Sequence, residues 1–374
     1  MKRTAKERER MDRWTKERKV VCKRLVLAVL VAVCALPATA LAPQRQAFAA
    51  DNETSVTLSL PDVQQNLERG FEFYASLGGG PPHRMLVDTG SVGVLVPRTV
   101  LGPDAVNLVR RGQIEYTSDG KIFQGTYFRT PLVLNTGPAG AAHPQVQTVP
   151  IEVLAIDRQI CDPQYPQCTV DRTLDTVGML GVGFDRDTGS PAVNPFLQLV
   201  DIRAGHMVPG YIISEDRITL GITAQNTAGF RYVALRRNPK RPDDWAAAPG
   251  CYGFPAIPGF GYACGTILVD TGIRGMILRM PQHRRPVALS SSESKSALPL
   301  GTVISVAVPS PETALLSYQF TYEPSADPDP PIAPTSVRWS SLGETIFINT
   351  GRDVLAEYDY LYDAGGGRVG FRRR

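Results

Sequence analysis

Histidine is scarce in this sequence. Four residues in 374, His83, His143, His206 and His283, lie far apart along the chain. That scarcity speaks against most metal-dependent and histidine-assisted hydrolases, and there is neither a Gly-x-Ser-x-Gly nucleophile elbow nor a His-Glu-x-x-His helix. Each histidine reads as a surface residue, no metal site is expected and no cofactor is called for. Charge of one sign is lacking too. The formal balance of +4 is set by the first 49 residues, which hold 12 Lys/Arg against 4 Asp/Glu and leave 28 basic and 32 acidic residues in the remainder. Without a basic stripe a nucleic-acid partner is excluded, and the short patch Arg236, Arg237, Lys240, Arg241 reads as a solvated loop. Long apolar runs are missing with one exception, Leu25 to Ala42, which is free of charge and follows eleven Lys/Arg within residues 1 to 24.

That exception reads as an export signal over residues 1–49, with small-residue cleavage patterns at Ala38-Thr39-Ala40, Ala40-Leu41-Ala42 and Ala47-Phe48-Ala49, of which we favour the third. The alternative is an uncleaved membrane anchor, interrupted by Pro37. Either way the globular part lies outside the cytoplasm, periplasmic or extracellular, with any membrane contact confined to this segment. Cysteine usage fits. Cys22 and Cys34 belong to the leader, and the remaining four form two close sets, Cys161 with Cys168 and Cys251 with Cys264. Three connectivities are possible; we expect the two local disulfides, because each closes a Pro/Gly-rich loop, whereas the spacings do not suit zinc. With 34 Gly, 31 Pro and 43% hydrophobic residues in short runs between turn signals, the chain reads as mostly β, in two domain-sized units.

The chemistry sits in an internal repeat. Met85-Leu-Val-Asp-Thr-Gly-Ser-Val-Gly-Val-Leu-Val96 and Ile267-Leu-Val-Asp-Thr-Gly-Ile-Arg-Gly-Met-Ile-Leu278 share one pattern. A single Asp-Thr-Gly is only a turn signal. Twice, between buried strands, it puts a carboxylate among apolar walls, where an unpartnered charge costs several kcal/mol. Each copy is the natural partner of the other. If the turns meet across a pseudo-twofold axis, Asp88 and Asp270 share one proton and hold a water that attacks a peptide carbonyl.

At this point the sequence resembles the pepsin-like aspartic peptidases, over nearly the whole chain after the leader. The resemblance implies an all-β (mostly), bilobal pepsin-like acid protease fold, two pseudo-symmetric β-barrel-like lobes with an active-site cleft between them. The N-terminal lobe then spans residues 50–223 and the C-terminal lobe 224–374. The 182-residue separation of the two aspartates fits that family, as do the crossing segment Val177–Gly183, a helix at Asn194–Leu199, the strand end Ile218–Gly221 and a final hairpin, Tyr358–Asp363 with Gly365–Phe371. By resemblance Asp88 and Asp270 are catalytic. Thr89 and Thr271 bond across to the opposite lobe, the Gly90 and Gly272 N–H groups face the carboxylates, and Ser91 bonds the outer oxygen of Asp88. Tyr116 and Gly120, in Ile114–Gly125, belong to a substrate-covering flap.

Three departures bear on activity. Ile273 stands where a second hydroxyl is usual, so Asp270 loses a donor and Asp88 is expected to be the ionised member. Leu95 replaces the Trp that commonly supports the flap tyrosine, leaving the Tyr116 hydroxyl without that partner. Asn349 and Thr350 precede Gly351 where two hydrophobic residues are usual. Arg274, beside the second turn, suggests an acidic-substrate subsite, or simply a side chain reaching solvent at the cleft rim. With 38 residues between the favoured cleavage site and Asp88 there is no room for a pro-segment, so the protein is not expected to be a zymogen. Two functions follow: a monomeric aspartic endopeptidase acting on a peptide or protein substrate, or a catalytically silent relative that binds a peptide or protein in the cleft.

Overall fold

In the computed structural model we describe residues 54–134, 145–174, 178–186, 189–289, 298–325, 328–340 and 343–374. The leader with its cleavage sites, and the Ser/Glu/Lys stretch 290–296, fall outside them. Among the described residues no helix is long and apolar enough to cross a membrane.

The strands follow from residue pattern. Glu72–Leu77 alternates half-buried and buried positions, the mark of a strand with one face on a core, whereas Val92–Pro97 is buried throughout and therefore has a covered sheet on both faces. Three sheets result. A nine-stranded sheet runs Val106–Tyr116, Lys121–Thr130, Ile151–Cys161, Val92–Pro97, Gly178–Val182, His83–Asp88, Glu72–Leu77, Leu132–Leu134, Val146–Gln147. A seven-stranded sheet runs Leu316–Thr321, Val303–Val308, Ala248–Gly253, Tyr262–Leu268, Phe347–Asn349, Met276–Arg279, Val337–Trp339. The third has six strands, Val56–Ser59, Arg217–Leu220, Gly210–Ser214, Tyr358–Asp363, Arg368–Arg373 and Arg231–Ala234. It takes strands from both ends of the chain and from either side of residue 223, so it is a base shared by the two lobes. The architecture is the bilobal, mostly β pepsin-like fold.

The lobes repeat one connectivity. In the first, Gly178–Val182 lies parallel to His83–Asp88 and antiparallel to Val92–Pro97, which is itself parallel to Ile151–Cys161. In the second, Phe347–Asn349 lies parallel to Tyr262–Leu268 and antiparallel to Met276–Arg279, which is parallel to Val337–Trp339. The register makes Met179, paired with Leu86 and Leu95, the counterpart of Asn349, paired with Leu268 and Ile277.

Aromatic packing seats the first crossing strand on the shared sheet. Phe184 stacks on Tyr362 at 4.4 Å, Tyr211 meets Tyr362 and Phe196 edge-on at 5.6 and 5.5 Å, and the buried Tyr211 hydroxyl donates to the Val182 carbonyl at 2.8 Å. In the second lobe Tyr252, Phe254 and Trp339 form the corresponding cluster, with the Tyr252 hydroxyl donating to Arg279 O at 2.9 Å. The helix expected at Asn194–Leu199 begins later, at Val200–Arg203. The buried Asn194 side chain instead donates to the carbonyls of Val182 and Gly183 and accepts from Phe196 N–H, which ties the segment to the crossing strand as a turn.

Both local disulfides are present. Cys161–Cys168 closes a loop at the end of a long strand, and Cys251–Cys264 joins directly opposed positions of one hairpin, 4.0 Å apart at Cα. Replacing Cys251 and Cys264 together by Ala removes a cross-link of sequence separation 13. Loop-closure entropy puts the expected loss at about 3 kcal/mol, read as a lower urea midpoint with an unchanged slope. An unchanged midpoint would mean that the cross-link adds nothing to the hairpin.

Candidate active site

Each aspartate stands where a strand gives way to a tight turn and the chain leaves again as a second strand, so both side chains are held by backbone tied to a sheet. The two turns are locked to each other through their threonines. Thr89 N–H donates to Thr271 Oγ1 and Thr271 N–H to Thr89 Oγ1, both at 3.0 Å, while the Thr89 hydroxyl donates to Val269 O at 2.5 Å and the Thr271 hydroxyl to Val87 O at 2.6 Å. Asp88 and Asp270, 4% and 5% exposed, face one another above this lock, each carboxyl against the glycine of the opposite turn. Gly90 N–H donates to Asp88 Oδ1 at 2.7 Å and Gly272 N–H to Asp270 Oδ1 at 2.9 Å. Glycine is required by proximity: a Cβ on Gly90 would lie 2.6 Å from both oxygens of Asp270, and one on Gly272 would strike Asp88.

The outer oxygens are served by different chemistry. The Ser91 hydroxyl donates to Asp88 Oδ2 at 2.5 Å. Ile273 offers nothing equivalent, but the Asn349 amide donates to Asp270 Oδ2 at 2.5 Å and is held in place by Gly351 N–H donating to its Oδ1 at 2.9 Å. The expected loss of a donor at Asp270 is therefore corrected. The substitution noted before Gly351 supplies what Ile273 withdraws. Burial, followed by the negative charge of Asp270, pushes Asp88 from its ordinary value of 3.8 up to about 7, against the opposing bonds from Ser91 and Gly90.

The flap is the hairpin of Val106–Tyr116 with Lys121–Thr130. Gly120 ends its turn at φ +76°, and its close neighbour is the ring of Tyr165. The Tyr116 ring sits edge-on to Phe123 at 5.8 Å, over an apolar patch of Leu95, Ile114, Leu154 and Ile156. Burial and the charge of Asp88 raise the phenol well above its ordinary value, so it stays protonated.

Sequence reasoning missed what holds the flap tip. The Tyr165 hydroxyl, in the loop closed by Cys161–Cys168, donates to Thr117 O at 2.6 Å, Asp162 N–H donates to Gly120 O at 2.8 Å, and Arg338 of the opposite lobe donates to Ser118 O. An aromatic residue inside the disulfide loop was the only signal in the sequence. Arg274, by contrast, is not a subsite residue. It pairs with the buried carboxylate of Asp353 at 3.1 Å, and its side chain is 20% exposed. Beneath the flap a cleft of about 750 Å³ is lined by Asp88, Asp270, Tyr116, Met179, Ile277 and Asn349 among others.

No protein-family model and no curated protein matches the sequence. Among solved structures the chain is similar to the crystal structure of an aspartic proteinase from Irpex lacteus, with a TM-score of 0.52 and 12% identity over 86% of this chain and 97% of that one. At that identity the likeness is one of fold.

The dyad leaves a mark on stability. The folded-state value of Asp88 lies above its unfolded value, so its contribution is full below about pH 4 and is lost as the pH rises through about 7. Asp88→Asn cannot repel Asp270. Its thermal midpoint is expected to gain on the wild type steadily between pH 4 and pH 7.5, and parallel curves for the two proteins would contradict the buried like-charge pair.

Proposed function

We propose that the protein is an aspartic endopeptidase that hydrolyses peptide bonds through a water activated by Asp88 and Asp270, with no covalent intermediate. The observation that carries the proposal is the dyad itself. Two buried carboxyls from equivalent turns face each other in a cleft that is roofed by a hairpin. A structural role gives no reason to bury two carboxyls in contact, whereas a shared proton makes one member an acid and the other a base.

The roles follow from the protonation. Asp270 accepts a proton from the bound water as its oxygen attacks the peptide carbonyl. Asp88 gives its own proton to the carbonyl oxygen, which yields a neutral tetrahedral diol. Proton transfer to the amide nitrogen then lets the C–N bond break, releasing an amine and a carboxylic acid and returning the pair to its starting protonation. The Gly90 and Gly272 N–H groups and the Ser91 and Asn349 donors hold the carboxyls in plane, so that little reorganisation accompanies attack. An extended peptide would lie under the flap as an added strand with alternate side chains in apolar pockets such as the patch beside Tyr116. The non-catalytic binder drew its support from Ile273 and Leu95, and the donor that Ile273 withdraws is supplied by Asn349.

Cleavage of a mixed peptide library between pH 3 and pH 8 tests this reading. Wild type is expected to cleave, to be blocked by a statine-type transition-state analogue, and to lose activity as the pH rises through about 7, where Asp88 gives up its proton. Asp88→Asn and Asp270→Asn are each expected to lose at least about a thousandfold in kcat/KM, as removal of a member of a unit does. A wild type inert across that range, with the inhibitor bound or unbound, would make the protein a binder.

The flap contacts generate a separate expectation. Arg338→Ala frees Ser118 O from the opposite lobe. Faster hydrogen exchange at residues 117–120 is expected, together with a changed KM and a dyad pH profile left in place. Unchanged exchange would mean that Tyr165 and Asp162 alone hold the tip.

A further inference from the structure

Among the described residues the second lobe carries a buried cation and the first lobe none. Counting from the glycine at which each crossing strand passes its catalytic turn, Gly181 in one lobe and Gly351 in the other, the next residue is Val182 in the first lobe and Arg352 in the second. Val182 is wholly buried, as a residue under an active site ordinarily is. Arg352 is buried almost as deeply, at 4% exposed, yet it is a cation. Its Nε and Nη1 have no hydrogen-bond partner among the described residues. A guanidinium buried with two open donors is costly as a structural element, and replacing buried charges by apolar residues is often neutral or stabilising. A structural role therefore gives a poor account of it.

Its backbone position ties it to the dyad from two sides. Asn349, which donates to Asp270 Oδ2, lies three residues before it on the same turn, and Arg352 N–H donates to the carbonyl of Ile273, three residues after Asp270, at 3.0 Å. The side chain extends toward the first lobe, where Nη1 lies 3.2 Å from the position of a Cβ on Gly70, beside the strand that leads to Asp88. The charged groups around it are Asp270 and Arg274 from the second turn, Asp353 on its own segment, Asp88 from the first turn, and Glu72 on a strand of the first lobe. Asp353 is neutralised in part by Arg274, to which it bonds at 3.1 Å. Glu72 pairs with Arg84 at 3.2 Å and also feels Arg69. Among the described residues no cation is bonded to Asp270, and of the charges acting on Arg352 its own ranks first.

We infer that Arg352 is a positioning residue for the dyad: its buried guanidinium stabilises the single negative charge shared by Asp88 and Asp270 and thereby sets the pH range over which that singly charged state exists. This rests on the endopeptidase reading for its kinetic consequence but not for its electrostatic one. A fixed positive charge next to a proton-sharing pair lowers both macroscopic steps, from neutral to singly charged and from singly to doubly charged.

The test compares wild type with Arg352→Met, which fills the same space without charge, and Arg352→Lys, which keeps a charge. Two readouts are taken on the full protein: the pH profile of kcat/KM, and the titration of the Asp88 and Asp270 carboxyls followed by NMR after labelling aspartate at Cγ with ¹³C. Arg352→Met is expected to move both limbs to higher pH, the acid limb by about one unit or more, and Arg352→Lys to move them by less than half as much. Both carboxyl signals should shift with the limbs. If wild type cleaves nothing, the endopeptidase reading fails while the carboxyl titrations still decide this one. A Met variant whose activity falls with both limbs in place, or whose carboxyls titrate as in wild type, would make Arg352 merely structural and overturn the inference. Should the Met variant not fold, Arg352→Gln carries the same expectation.

Discussion

Two carboxyl groups buried against each other are the constraint on which the rest of the molecule depends. Left alone they would repel, take up water and part, so the surrounding structure must supply enough rigidity to keep them together. The crossed threonines do this locally. They satisfy four backbone groups in the most buried part of the chain, and they do so across lobes, so neither turn can shift without breaking bonds to the other. The shared six-stranded sheet does it globally, through the aromatic row that carries the first crossing strand and the hydroxyl of Tyr211 that fixes its end.

The duplicated connectivity would, if the two halves were chemically equal, give a pair with no preferred place for the proton. The halves are not equal. One outer oxygen meets a hydroxyl and the other an amide, and a buried arginine stands behind the second turn where the first has valine. Backbone symmetry brings the carboxyls together; side-chain asymmetry gives them different surroundings.

Much of this was legible in the sequence. The repeat around Asp88 and Asp270, the interlocking threonines, the flap hairpin with Tyr116 and both local disulfides follow from spacing and from resemblance, because each is encoded in contiguous residues. Replacements at a distance were not legible. Ile273 was read as a loss and Asn349 as a second, unrelated oddity, although they are 76 positions apart and compensate each other at one oxygen. Arg274 was placed at the cleft rim because the sequence cannot show the buried Asp353 that draws it inward. The helix at Asn194 was displaced for a similar reason, since its side chain serves carbonyls that precede it by eleven or twelve residues.

The exchange of donors also bears on what each carboxyl could do in the proposed cycle. The Asn349 nitrogen can only donate, so its bond to Asp270 Oδ2 requires an oxygen that accepts. On the proposed mechanism that bond would weaken as Asp270 takes up the proton of the attacking water, which would help return the proton to the leaving amine. Ser91 is different, because a hydroxyl can rotate and either donate or accept, so its bond to Asp88 Oδ2 can serve that carboxyl in either protonation state.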